Sequence, residues 1–333
     1  MRFTLLAIPT AVLAIANIFV GSVAIPPSDV IDILLGKDSS VAAYSFIVLQ
    51  SRLPQMLTAL IAGASLAVSG LMLQTAFRNP LASPSILGIT SGASLGVACV
   101  TLLTGGSIAA AGITTGGFIA IMSAAFAGSM ATMALLLILS AVLKNDLMLL
   151  IIGVLLSYLV SSLITLLNFS ASADGIQSYI MWGMGSFSSV PENHIPLFAA
   201  IAAAGIVPAL LLIKPLNIIQ LGSSYARNLG VNLVRTRNLL LLSTGILTAG
   251  VTAYCGPVAF IGLAVPHITR MIFRTADHRS LMPATLLCGS CTALLCNLLC
   301  ALPSAGVLPL NAVTPVIGIP VIIYVILCRR QKL

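Results

Sequence analysis

NLLLLSTGILTAGVTAYCGPVAFIGLAVPHIT, residues 238–269, is a run of 32 residues without an Asp, Glu, Lys or Arg. A bilayer core about 30 Å thick takes roughly 20 apolar residues per helix. The run is long for one span and short for two, and Cys255-Gly256-Pro257 supplies the place where it can break. Whether it crosses once or twice decides the side on which everything after it lies, and so decides the fold.

Basic residues arbitrate, because they concentrate in cytoplasmic loops. If the run crosses twice, the chain crosses ten times and both termini share a side. Arg2, Arg78, Lys144, Lys214, Arg227, Arg235, Arg237, Arg270, Arg274, Arg279, Arg329, Arg330 and Lys332 are then cytoplasmic, leaving only Lys37 and Arg52 outside. If it crosses once, the six basic residues after it change sides and the split becomes seven against eight. The asymmetric solution predicts an all-α integral membrane protein of ten transmembrane helices, several broken or kinked, with both termini cytoplasmic.

The remaining charge-free intervals fit this count. Phe3–Ser28, Leu53–Phe77, Leu147–Ala173 and Ile195–Ile213 hold one helix each. Residues 79–143 hold two, turning between Thr104 and Gly117, and 280–328 hold two more, breaking at Leu302-Pro303-Ser304-Ala305-Gly306. The first apolar run is longer than a signal-peptide core and lacks a clear cleavage site, so it reads as the first span. Gly88-x-x-x-Gly92-x-x-x-Gly96 reads as a small face for close helix packing.

Composition excludes other classes. Of 333 residues, 59% are hydrophobic and 7% charged, with a mean hydropathy of +1.14, against roughly 25% charged in soluble domains. No stretch is polar enough for an extramembrane domain, so residues 1–333 read as one transmembrane domain. The net charge of +8 is scattered over helix ends, which argues against nucleic acid as a partner. Seven cysteines lie in or beside apolar runs and read as small packing residues, with no metal site expected.

All seven acids, Asp29, Asp32, Asp38, Asp146, Asp174, Glu192 and Asp277, fall in loops or at helix ends. His267 is the one candidate proton carrier within the spans, and it reads first as a structural hydrogen-bonding residue. No G-x-x-x-x-G-K-[ST] phosphate loop is present. Two readings follow: the permease of a transporter driven by a separate ATPase, or an ion-coupled secondary carrier with coupling side chains at mid-membrane. The bare spans favour the first. In the basic 214–237 loop, apolar residues at 216, 218, 219 and 221, then 226, 229 and 231, fit two short amphipathic helices hinged at Gly222. Such a pair could enter a partner's groove, although periodicity alone reads it as a surface-lying loop.

Several blocks resemble the FecCD-type permeases of binding-protein-dependent ABC importers for iron-siderophores, haem and cobalamin. They are Ser51-Arg52-Leu53-Pro54, Gly63 to Gly70 with Gln74, Arg78-Asn79-Pro80-Leu81-Ala82-Ser83-Pro84, Leu87-Gly88, Ser91-Gly92-Ala93, Trp182-Gly183-Met184-Gly185-Ser186, Ala226-Arg227-Asn228-Leu229-Gly230-Val231, and Gly256 through Arg270 followed by Asp277-His278-Arg279. They span nearly the whole chain in the family's order. The resemblance implies a homodimer around a central pathway in the cytoplasmic (inner) membrane. Two ABC ATPase subunits would bind below, and a periplasmic or lipid-anchored substrate-binding protein above. ATP and Mg would be bound by the ATPase, with no cofactor on this chain. It further implies that Leu216, Leu221, Gly222, Ala226, Arg227, Leu229 and Gly230 are gripped by the ATPase. Asn79, Pro80, Leu81, Asn145 and Asp146 would narrow the cytoplasmic end of the pathway, and Arg52 with Lys37 would meet the binding protein. Gly256, Pro257, Gly262, Pro266 and His267 would serve packing and helix breaking. Ferric siderophore is the expected cargo, with cobalamin or haem as alternatives. The chain departs from the family at Ser223 and Ser224, where relatives carry acids, at Gln55, where many have Arg, and at Val307-Leu308-Pro309-Leu310-Asn311, where Glu-Leu-Pro-x-Gly is usual.

Overall fold

The computed structural model describes residues 3–37, 41–105, 115–143, 146–302 and 307–330, and among these every regular element is helical. The chain opens with α1 (Thr4–Phe19), the short α2 (Pro27–Leu34) and α3 (Ala42–Phe46), which runs through a π-turn (Ile47–Arg52) into α4 (Leu53–Ala76). Next come α5 (Ile89–Leu103), α6 (Thr115–Val142), α7 (Asp146–Ser170), α8 (Ala173–Gly183) and α9 (Ile195–Leu211). The pair α10 (Ile213–Gln220) and α11 (Ser223–Asn228) precedes α12 (Leu233–Cys255), α13 (Ile261–Phe273), α14 (His278–Ala301) and α15 (Leu310–Arg330). Among the described residues, six helices are long and apolar enough to cross a membrane, and α1, α5, α13 and the Leu310–Val325 part of α15 are apolar but shorter. This is a multi-pass membrane architecture. Residues 238–269 form two helices, as the break at Gly256-Pro257 predicts.

Helix α4 is the centre. Together with α3 and the π-turn it makes one unbroken helix, and 83% of its most apolar window is buried, against 22% for α7. A proline ring inside a helix clashes with the carbonyl four residues back. For Pro54 that carbonyl belongs to Gln50, inside the π-turn, where the Leu53 N–H reaches back to the Val48 oxygen. The wider turn accommodates the ring without a break.

Around α4 the neighbours approach to backbone contact. A Cβ on Gly70 would fall inside the Gly262 carbonyl oxygen of α13, and one on Gly63 would strike the Gly289 carbonyl of α14. Pro266, which has no N–H, leaves the Gly262 carbonyl without its helical donor, and that oxygen lies against Gly70, where a Cα–H is the available donor. The Gly92 and Gly96 face packs on Gly128 and Ala124 of α6 in the same way, whereas Gly88 is the left-handed N-cap of α5 at φ 80°. Amides add polar ties. Asn297 on α14 donates to Asn17 of α1 (2.7 Å), and Gln55 donates to Asn297 (2.9 Å). The position where relatives carry a second arginine therefore points inward.

Arg52 is 5% exposed. Its guanidinium donates to the carbonyls of Ile18 (2.9 Å), Phe19 (2.8 Å) and Val23 (2.5 Å), closing the C-terminal end of α1. A helix end otherwise leaves its last carbonyls unsatisfied. Of the pair expected to meet a binding protein, only Lys37 stands in the open, 3.3 Å from Asp32. Arg52→Gln is expected to destabilise the chain by at least about 2 kcal/mol, the loss of charge-assisted bonds to buried carbonyls, measured as a lower unfolding temperature in detergent. An unchanged unfolding temperature with weakened binding-protein affinity would return Arg52 to docking.

Candidate coupling and translocation site

Helices α10 and α11 join at Gly222, whose φ of 127° is rarely open to a side chain. The pair has two faces. Leu216, Ile219 and Ala226 are buried against the bundle, whereas Leu221, Tyr225 and Leu229 are 66%, 66% and 61% exposed. The apolar residues that sequence grouped together thus divide: Leu216 and Ala226 pin the pair down, and Leu221 and Leu229 face outward with Arg227. Tyr225 completes that outward row. Its place was not visible from apolar spacing, because the bend at Gly222 sets the register of α11. Gly230, at φ 79°, ends α11 with open space around its Cα.

Beneath the pair lies a polar clamp. Asn217 accepts from the backbone N–H of His278 (2.8 Å) and donates to Asp277 (2.5 Å), while Gln220 donates to the Ala276 carbonyl (2.9 Å). Asp277 also caps α14 by accepting from the Arg279 N–H (2.9 Å). The Arg279 N–H and then the Asn217 amide hold its carboxyl below the usual carboxylate range. On its far side the His278 ring meets the Thr75 hydroxyl at the end of α4 (2.8 Å). Arg78 donates to the Ile219 carbonyl (2.9 Å), fastening α10 to the turn that follows α4.

That turn contains Asn79, Pro80 and Leu81. Arg78, at φ 47°, stops α4, and the Asn79 side chain accepts from the Leu81 N–H (2.9 Å). The Pro80 carbonyl accepts from Nε2 of His267 (2.8 Å). A carbonyl can only accept, so Nε2 carries the proton. Nearby, Arg270 donates to Gln74 (2.6 Å), which donates to the Leu263 carbonyl (3.1 Å). A continuous series of bonds thus runs from α10 through Arg78 to the Asn79-Pro80-Leu81 turn and on to α13. His267, read from sequence as a structural hydrogen-bonding residue, is the link between that turn and α13.

The other expected residues sit elsewhere. Asn145 and the Asp146 side chain lie outside the described residues. Lys37 follows α2, and Arg52 ends the π-turn that leads into α4. Gly256 and Pro257 form the break between α12 and α13, where Gly256 has φ 74° and a Cβ would lie 2.6 Å from the Trp182 carbonyl. Asn311 holds this break together. It donates to the carbonyls of Pro257 (2.6 Å) and Gly183 (3.0 Å) and accepts from the Ala259 N–H (3.2 Å). Sequence showed Asn311 only as a departure from the family pattern, and its partners, 52 or more residues away along the chain, gave no local signal. Among the described residues no group of three His, Cys, Asp or Glu could hold a metal. The arrangement is suited to passing a displacement of α10 and α11 into the bundle.

The comparisons agree with this architecture. The FecCD transport family matches residues 9–328. The vitamin B12 import system permease protein of Citrobacter koseri is 35% identical over 287 residues, covering 85% of this chain and 83% of that protein. Its Escherichia coli counterpart is 36% identical over 290 residues, covering 85% and 84%. A solved inward-facing metal-chelate type ABC transporter superposes with a TM-score of 0.83 at 29% identity, covering 100% of this chain and 99% of that one. A Streptococcus pneumoniae structure, PsaBC in complex with Fab, shares the fold at 12% identity and a TM-score of 0.51. With a match that runs almost end to end, this chain belongs to the FecCD transport family, as a permease of the ABC importers and not an enzyme.

Proposed function

We propose that two copies of this chain, each crossing the membrane ten times with both termini in the cytoplasm, form the pathway of an ATP-driven importer for a bulky metal chelate. Cobalamin is the favoured cargo and ferric siderophore and haem the alternatives. The order of preference reverses the expectation from sequence, because the relatives described above are vitamin B12 permeases. The observation that carries the proposal is the α10–α11 pair, apolar on its outward row of Leu221, Tyr225 and Leu229 and tied beneath to the Asn79-Pro80-Leu81 turn. In this reading a separate ATPase, which binds ATP and Mg, grips the outward row. Its movement reaches the turn through Arg78, and the turn opens or closes the inner end of the pathway. A substrate-binding protein delivers cargo at the opposite face.

The pathway itself is assigned to the outward face of α7. Tyr158, Ser161, Ser162 and Thr165 are exposed there at helical spacing, with Ser162 and Thr165 donating to their own helix backbone. A hydroxyl row suits a wetted passage between two copies better than lipid tails. The test is uptake of labelled cyanocobalamin, ferric siderophore and haem by cells lacking their own permease, supplied with this chain, its ATPase and its binding protein. Accumulation of a single cargo, abolished by an inactive ATPase, is the expected result. Uptake driven by a proton or sodium gradient without the ATPase would overturn it.

A further inference from the structure

Helix α2 has no part in the reading above, and its residues divide around the helix axis into three faces. At about 100° per residue, Val30 and Ile33 share one face and are buried. They form a small cluster of their own with Ile25 and Val48, packed against Ile18 and Phe19 at the end of α1 and Tyr44 of α3. The next face holds Ile31, Leu34 and the capping Leu35, which are 49%, 45% and 67% exposed. The third holds Ser28, Asp29 and Asp32, with Lys37 lying 3.3 Å from Asp32. The bond from Arg52 to the Val23 carbonyl ties down the link between α1 and α2. The exposed apolar row is therefore held in a set direction.

We propose that α2 lies flat in the membrane surface at that end of α1, with Ile31, Leu34 and Leu35 seated among lipid chains and the acidic face in water. The argument is continuity with α1. Leu5, Ile8, Val12 and Ile15 are exposed at helical spacing along one face of α1. The opposite face carries Thr10 and Asn17, which donate to the Leu287 (3.4 Å) and Leu294 (3.1 Å) carbonyls of α14. In a membrane-spanning chain the exposed row meets lipid. Phe19 continues that row by spacing, yet it is partly buried, because the α2 cluster packs on it. At the level of Phe19 the lipid-facing wall passes from α1 to α2, and the apolar row of α2 takes over. A helix with apolar side chains on one side and charges on another lies in the plane of the interface. Here the charges beside the apolar row are acidic, so apolar burial and not attraction to anionic headgroups holds the helix. The proposal needs only that α1 lies in a bilayer, and depends on neither the cargo nor the ATPase.

The full chain can be made with the photo-reactive residue p-benzoylphenylalanine in place of Leu34, Asp32 or Val12, one at a time. Each version is reconstituted in vesicles of phosphatidylethanolamine and phosphatidylglycerol, irradiated, and weighed by mass spectrometry. Val12, on the exposed row of α1, sets the level of reaction with lipid. The Leu34 position is expected to give a phospholipid adduct at a similar level, and to keep it when phosphatidylglycerol is omitted. The Asp32 position should give roughly tenfold less, since the polar side of an interfacial helix faces water. A lipid adduct no greater at Leu34 than at Asp32 would overturn the proposal and place α2 in water. Cross-linking of Leu34 to a second copy of the chain, or to the binding protein when it is added, would overturn it in favour of a protein interface. Loss of the Leu34 adduct without phosphatidylglycerol would also overturn it, because headgroup charge would then hold the helix. None of these readouts involves transport, so failure here leaves the importer assignment intact.

Discussion

Leu229→Asp is expected to abolish uptake while leaving the amount of membrane-inserted protein unchanged. Leu229 is mostly exposed, and the packing of α10 and α11 against the bundle is carried by the buried Leu216, Ile219 and Ala226. A carboxylate there meets water at no cost until a partner covers it. Buried in an interface, it loses an apolar anchor and adds an unpaired charge, a combination worth about 2–4 kcal/mol at an interface hot spot. Association with the ATPase should fall by that amount, read by co-purification, and uptake should fall to background. Leu216→Asp must behave differently, because the buried side faces the protein itself and the chain should fail to accumulate. Normal uptake with Leu229→Asp would remove α10 and α11 from the coupling role.

Gly70→Val is expected to prevent folding. The obstruction is the Gly262 backbone carbonyl, and the same oxygen lacks a helical donor because of Pro266. Backbone cannot step aside as a flexible side chain does, so the usual overpacking cost of about 1–3 kcal/mol is a lower bound. The mutant should be recovered in far smaller amounts and unfold at a lower temperature. Gly116→Val, at a position with nothing within 4 Å of the added Cβ, is the control and should behave as wild type. Equal yields of the two variants would refute the close approach of α4 and α13.

The intervals between charges located the apolar helices because a charge at mid-membrane is expensive, and that cost is written residue by residue. Helix length was not legible in the same way. The 13 residues of α13 and the 15 of α5 are shorter than a full span, and their ends are set by Phe260 at φ 65° and Gly88 at φ 80°, conformations fixed by tertiary packing. The two short helices of the 214–237 loop were legible from apolar spacing and Gly222, but their faces were not, since burial depends on what lies beneath. Arg52 shows the limit of reading charge alone. Sequence marked it as one of two outside cations, yet the carbonyls of α1, about 30 residues earlier, draw it inward. His267 and Asn311 are the same kind of case. Their partners, the Pro80 carbonyl and the Pro257 and Gly183 carbonyls, are backbone groups that carry no sequence signature.

The central position of α4 sets an order for biogenesis. Apart from α1, the helices that cover it, α9, α10, α12, α13 and α14, are all synthesised after residue 194. Until then its buried hydroxyls Thr58, Ser65 and Ser69, and Gln74 on another face, lack most of the helices that cover them in the finished protein. The nascent permease therefore spends most of its synthesis with its core helix exposed. A chain that stops before α14 therefore leaves Gly63 of α4 without the Gly289 backbone against which it packs in the finished protein.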